Sequence, residues 1–417
     1  MISCLIGTMH CGSERSEELN VQRAYIYRLE PTPEQETFLV QTAGACRALY
    51  NLALEQRSEH WRPGRKIGLK SQCHELTDLR AEVDWMRAAP VHALQSALKD
   101  LDRAFQNFFE GRASYPRFKR KGGGDGFHLR DKAYLGFRRL NTNHGAVKLP
   151  KVGWVKLRGW RELGGELRNV TIKRRAGHWY ASIQWQREIA EPPPSTLPPV
   201  GIDLGVTNFA ALSTGELVKP LAAFKKIKRK LANAQRKMAR KKKFSANWKK
   251  QKAKISRIHS KAANARKDYL HKLSTTIAKN HGLVAIEKLQ VRNMSASAKG
   301  TAEKPGRMVK QKSGLNRSIL DQGWSMFKTM LAYKLAERGG ELVEVDPAYT
   351  SQTCAECGTV SKENRKSQSA FVCVGCGHEA HADINAAHNI IRLGLSRGAS
   401  PANPKKGRQE ELSRRAA

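Results

Sequence analysis

Near the C-terminus, four cysteines fall into two pairs, Cys354 with Cys357 and Cys373 with Cys376, each spaced C-x2-C with fifteen residues between the pairs. No other feature restricts the fold so tightly. Two such pairs let four thiolates converge on one ion in a closed tetrahedron. Gly358, Gly375 and Gly377 supply the tight turns that metal knuckles require. A redox dithiol needs only one pair. Four sulfur ligands leave no open position, so the zinc expected here is structural and not catalytic. His378 and His381 lie nearby but are not needed as ligands. The other cysteines (Cys4, Cys11, Cys46 and Cys73) are scattered. That is no secreted disulfide framework, and it points to a reducing cytosol.

Charge narrows the partner. The 417 residues carry 75 Lys and Arg against 37 Asp and Glu, a formal charge of +38. A chain this basic calls for a polyanion, and nucleic acid is the expected one. No apolar run approaches the roughly 18–20 residues of a spanning helix, so no membrane partner is expected. Residues 225–272 hold 20 Lys and Arg, among them Lys225, Lys226, Arg229, Lys241 and Lys242, and one acid, Asp268. Helix formers without proline predict one or two long basic helices there, read as an antiparallel pair that phosphate neutralises. A second basic stretch, residues 115–121, interleaves aromatic rings with Arg117, Lys119 and Arg120. That mixture suits phosphate contact with base stacking.

The remaining pattern predicts an α+β multidomain chain. Residues 1–20 read as a disordered extension. From 21 to 195 short strands predict a small, mostly antiparallel β-barrel or sandwich, interrupted after its first strand by helices over about 33–110, with a break near Pro90. Pro33 suits the first position of a helix. Prolines at 192–194 and 198–199 mark a linker. A second domain occupies 196–347 and resumes at 382–396, with the cysteine ribbon at 348–381 inserted. Its strands are expected at 200–206, 209–212, 283–287 and 341–345. Residues 292–316 read as polar and mobile, 322–338 as one helix, 383–393 as a short helix, and 397–417 as a disordered tail.

Three acids stand out in that second domain. Asp203 interrupts an apolar strand, Glu287 ends another, and Asp383 opens the helix after the ribbon. Singly, each has an ordinary explanation as a turn residue, a solvated end or a helix cap. Together, three carboxylates on adjacent elements suit two Mg²⁺ ions and phosphodiester hydrolysis. No P-loop, dinucleotide fingerprint or Ser-His-Asp set competes with them.

These residues resemble the TnpB family of transposon-encoded, RNA-guided DNA endonucleases, relatives of the compact type V CRISPR effectors. The resemblance is carried by Gly201-Ile202-Asp203-Leu204-Gly205, Ala285-Ile286-Glu287-Lys288-Leu289, the four-cysteine ribbon and Asp383-Ile384-Asn385-Ala386-Ala387-His388-Asn389-Ile390. It extends from about Arg23 to Ile391. It implies a ribonuclease-H-like RuvC domain with catalytic Asp203, Glu287 and Asp383, and an N-terminal wedge barrel with a helical recognition insert. It further implies a guide RNA from the transposon end, double-stranded target DNA and a short flanking motif, with Gln95 in a segment used to read that motif. A prokaryotic cytosolic, nucleoid-associated setting follows. The alternatives are a CRISPR-adapted miniature effector, a nuclease-inactive guided regulator and a strand-transferring transposase.

Overall fold

The computed structural model describes residues 18–60, 67–162 and 164–398. The segments expected to be disordered lie outside these, except that residues 18–20 are strand and 397–398 end a helix. Two compact units divide the chain between Ala190 and Glu191.

The first unit opens with β1 (Glu18–Glu30), so strand begins before residue 21. Next, α1 (Pro33–Glu59) starts on its proline. Thr32 and Gln35 form a capping box, each side chain accepting the other's backbone amide. The rest of the helical insert is three helices: α2 (Leu69–Glu82), α3 (Asp84–Ala88) and α4 (Val91–Phe109). Val83 separates the first two, and Pro90 stands just before the third. Six strands follow: β2 (Gly126–Leu129), β3 (Gly136–Arg139), β4 (His144–Leu149), β5 (Gly153–Arg158), β6 (Glu166–Arg175) and β7 (His178–Ala190).

The expected closed barrel does not form. The sheet is open, in the order β2-β6-β7-β1-β5-β4-β3, and β2 and β3 are its edges. The physical reason lies in the core. Leu39 of α1 and Leu94, Leu98 and Leu101 of α4 share one buried cluster with Phe127, Val170, Ile172 and Ile183 of the sheet. Helices cover the apolar face that a barrel would have turned inward.

The second unit contains β8 (Val200–Asp203), β9 (Ala210–Leu212), β10 (Leu217–Val218), α5 (Ala223–Ala239), α6 (Ala246–Asn280) and β11 (Leu283–Glu287). It continues with α7 (Val291–Met294), α8 (Val309–Gln322), α9 (Trp324–Ala336), β12 (Glu341–Val345), β13 (Ala370–Val372), β14 (Glu379–His381) and α10 (Ala382–Gly398). The main sheet runs β10-β9-β8-β11-β12. Its strands β8, β11 and β12 are parallel, while β9 and β10 run antiparallel. Helices cover both faces. Val284 and Ile286 pack toward Leu270 and Ile277 of α6 and Phe327 and Leu331 of α9. Ala285 and Val345 pack with Ile390 of α10.

Three expectations change here. The first strand stops at Asp203 and turns at once, because Gly205 closes on Phe209 through a hydrogen bond of 3.3 Å. The polar segment 292–316 is partly helical, and Gly323 splits the expected helix 322–338. Gly323 adopts φ 76, and a Cβ there would meet Leu270 and Arg266 at 3.2 and 3.1 Å. Lys312 and Asn316 of α8 donate to backbone carbonyls of residues 294–296, which fastens this polar helix beside α7.

Candidate active site

Parallel pairing places two of the acids together. Ile202 of β8 registers with Ile286 of β11, so both strands end on a carboxylate at the same end of the sheet, Asp203 and Glu287. The third acid arrives on α10, which crosses the sheet where side chains are missing. A Cβ on Gly201 would stand 2.1 Å from the Ala387 carbonyl oxygen, and one on Gly394 would stand 2.6 Å from the Ala285 Cβ. With hydrogen at both points, the helix lies close against β8 and β11. Its first turn carries Asp383, where the helix dipole favours an anion. All three acids line one cleft of about 300 Å³.

The electrostatics follow from that burial. Burial, then the charges of Glu287 and Asp383, push Asp203 up to about 7, against the opposing pull of Arg365 and the Leu204 amide. Burial also raises Glu287, against a 2.6 Å hydrogen bond that the Thr350 hydroxyl donates to its Oε1. Both oxygens of Asp383 are held. Arg365 donates to Oδ1 at 3.2 Å and Asn208 donates to Oδ2 at 3.1 Å. Three carboxylates thus face one guanidinium. Once ionised they carry an uncompensated negative charge in a half-buried cleft, a set of hard oxygens that fits Mg²⁺.

Sequence reasoning passed over Asn208, Thr350 and Arg365. Each sits in a loop and acquires a role only through tertiary placement. The available signal was proximity: Thr350 lies four residues before Cys354, and Arg365 lies between the two knuckles.

The four cysteine sulfurs lie within 4.8 Å of one another. Cys354 and Cys376 are 3.8 Å apart, and Cys357 and Cys373 are 3.5 Å apart. A tetrahedron with Zn–S of about 2.3 Å has edges of about 3.8 Å, so the sulfur cage fits zinc. The Gly358 amide donates to the Cys354 carbonyl and the Gly377 amide to the Cys373 carbonyl, with the glycines at φ 77 and 73. Two buried asparagines tie this cage to α10. Asn385 accepts from the Ala355 amide at 2.9 Å and donates to the Thr353 carbonyl at 2.8 Å. Asn389 donates to the carbonyls of Thr350 and Thr353 at 3.0 and 2.7 Å.

The basic candidates are dispersed. Gln95 is half-buried on α4. Arg117, Lys119 and Arg120 are exposed, although the Lys119 ammonium lies 3.8 Å from the Tyr50 ring centroid and Asn51 clamps its backbone on both sides. Lys225, Lys226 and Arg229 are exposed on α5, and Lys241 and Lys242 are exposed in the turn before α6. Among the described residues no helix is long and apolar enough to cross a membrane.

The chain is similar to known proteins. A family model described as "Probable transposase" matches residues 182–298, one described as "Cas12f1-like, TNB domain" matches 324–390, and one described as "Helix-turn-helix domain" matches 20–66. InsQ of Escherichia coli (strain K12), provisionally named an RNA-guided DNA endonuclease, is 46% identical over 89% of this chain and 92% of its own. A Streptomyces pristinaespiralis protein with a similar provisional name is 35% identical over 91% of both. A cryo-EM structure of a Cas12f1-sgRNA-target DNA complex superposes with a TM-score of 0.50 over 89% of this chain and 98% of that one, at 14% identity, a likeness of fold. By its identity to InsQ over nearly the full length, the chain belongs to the TnpB family.

Proposed function

We propose that this chain is an RNA-guided DNA endonuclease whose hydrolytic site is Asp203, Glu287 and Asp383. The observation that carries the reading is the convergence of three acids from β8, β11 and α10 in one cleft, with Asp203 pushed up to about 7. The parallel core flanked by an antiparallel β9–β10 pair supports a RuvC-like, ribonuclease-H-type domain. The names of InsQ and its Streptomyces relative support guidance by RNA.

In this reading, Asp203, Glu287 and Asp383 hold Mg²⁺, as two ions. Bound there, the metal would supply Lewis acidity toward a water and positive charge for the leaving 3′ oxygen. The chain's own groups prepare that site. Thr350 fixes the rotation of Glu287, and Asn208 and Arg365 fix both oxygens of Asp383. Arg365 also lines the cleft and supplies the guanidinium there that a phosphate would meet. The cysteine cage holds structural zinc and anchors the start of α10. The guide comes from the transposon end, base pairing selects the DNA, and the protein reads duplex shape and a short flanking motif, the division of labour of RNA-guided effectors. Intact, metal-compatible acids favour cutting over guided binding alone. The cell compartment of this reading is the prokaryotic cytosol.

The test is to express the gene with its native flanking DNA and sequence the RNA that copurifies. Supercoiled plasmid bearing the matching target is then incubated with Mg²⁺ and wild type or Asp203→Ala. A discrete flank-derived RNA, with cleavage by wild type alone, supports the proposal. RNA from a repeat array moves it to a CRISPR-adapted effector. Equal cleavage by Asp203→Ala, or no defined RNA with a folded protein, refutes it.

A further inference from the structure

Residues 240–245 join α5 to α6, and Phe244 stands there at φ 70. That left-handed region suits glycine or asparagine and disfavours a bulky side chain. The turn does not need the ring. The Ser245 amide closes it on the Lys242 carbonyl at 3.1 Å, and the Ser245 hydroxyl caps α6 by accepting the Trp248 amide at 3.2 Å. Nor does any core need it, since Phe244 is 65% exposed. It meets Trp248, itself half-buried, at 5.5 Å between centroids. Lys243 lies 5.2 Å from the Phe244 centroid and Lys252 lies 5.3 Å from that of Trp248. Residues 236–252 contain nine Lys and Arg and no acid.

Backbone strain, an exposed apolar ring and mutual repulsion all oppose stability here. The last two reverse against an unpaired nucleic acid strand. Phosphates neutralise the cations, and a base covers the ring. We propose that the α5–α6 turn is a base-stacking grip for unpaired guide RNA, with Phe244 and Trp248 as the platform and the surrounding lysines on phosphate. This rests on the RNA-guided reading above. RNA is the occupant because, of the two nucleic acids, only the guide is present before a target is found, so it alone offsets the repulsion both before and after targeting. An unpaired segment is required because bases stacked inside a duplex offer no free face.

The test uses full-length, zinc-loaded protein without Mg²⁺ and three probes of about 20 nucleotides: an unstructured RNA, DNA of the same sequence, and the RNA duplex. Phe244→Gly should weaken binding of the single-stranded RNA by about 5- to 150-fold. The dependence on salt should stay the same, because no phosphate contact is removed. The thermal midpoint should hold or rise, because glycine relieves the turn. Phe244→Trp should restore affinity. Wild-type affinity in Phe244→Gly overturns the proposal, as does failure of Phe244→Trp to restore it or an equal loss on duplex RNA. A larger loss on the DNA probe overturns the assignment to RNA. If guided cleavage by wild type fails while these RNA differences persist, the endonuclease reading falls and the grip stands.

Discussion

Replacing Asp203 by asparagine should abolish cleavage and yet stabilise the metal-free protein at alkaline pH. The folded protein pushes this carboxyl from 3.8 to about 7. Folding therefore favours the protonated acid. That contribution is fully present below about 3.8 and is lost as pH climbs through about 7. The full shift is about three units, or about 4 kcal/mol of stability missing at pH 8. At pH 5 the unfolded chain is ionised and the folded one is not, so the missing amount is under about 2 kcal/mol. Asparagine never ionises. Its advantage over wild type should therefore grow by about 2–3 kcal/mol between pH 5 and pH 8, and any fixed difference in packing cancels from that comparison. Glu287 titrates in both proteins and cancels to first order. The assay is native-state hydrogen exchange on β8 and β11, with β7 of the first unit as an internal reference. Divalent ions should be stripped with a resin matched to leave zinc in place. Adding Mg²⁺ should then favour wild type, by about 2.7 kcal/mol at a hundredfold excess over its dissociation constant. A pH-independent difference, or a variant that loses stability on going from pH 5 to 8 relative to wild type, would refute the burial argument.

Gly201→Ala places a methyl 2.1 Å from the Ala387 carbonyl and should push α10 outward. We expect a loss of about 1–3 kcal/mol in the second unit by urea unfolding, and a fall in cleavage larger than that in nucleic-acid affinity. Cys354→Ser should release the cage metal, measurable by elemental analysis, and speed hydrogen exchange in the first turns of α10. Intact metal content with unchanged exchange would contradict the anchoring role. Arg365→Ala removes the cation that lowers Asp203, so the acid limb of the metal-dependent pH–rate profile should move to higher pH. A limb that stays in place would place Arg365 outside the electrostatics of the site.

The parts legible in the sequence were those with local signatures. The knuckle spacing sufficed for a cage, because cysteines with two residues between them, closed by a glycine turn, converge whatever surrounds them. The apolar run around Asp203 and the one ending on Glu287 gave two strands and two acids, and helix formers without proline gave α5 and α6. Closure of the first sheet was not legible. Alternation along β7 shows one buried face, but it does not say whether strands or α1 and α4 cover that face. The helix α8 was missed because side-chain bonds from Lys312 and Asn316 to carbonyls hold it, with little apolar periodicity to betray them. Arg365 and Asn208 were missed because a lone polar loop residue carries no pattern. Only the fold brings both to Asp383.

The placement of Asp383 depends on two kinds of contact along α10 that differ in chemistry. Gly201 and Gly394 set how closely the helix approaches β8 and β11. Asn385 and Asn389 set its rotation, because their amides must reach the carbonyls of Thr350 and Thr353. The same carbonyl-bearing segment leads into Cys354, and its Thr350 hydroxyl holds Glu287. Displacing the cage therefore disturbs two of the three acids, Glu287 through Thr350 and Asp383 through the helix. Asp203, fixed by the sheet alone, should keep its position. A structural ion with no open coordination site can thus control hydrolysis without touching the reacting phosphate, by setting two carboxylates against a third that the sheet already holds.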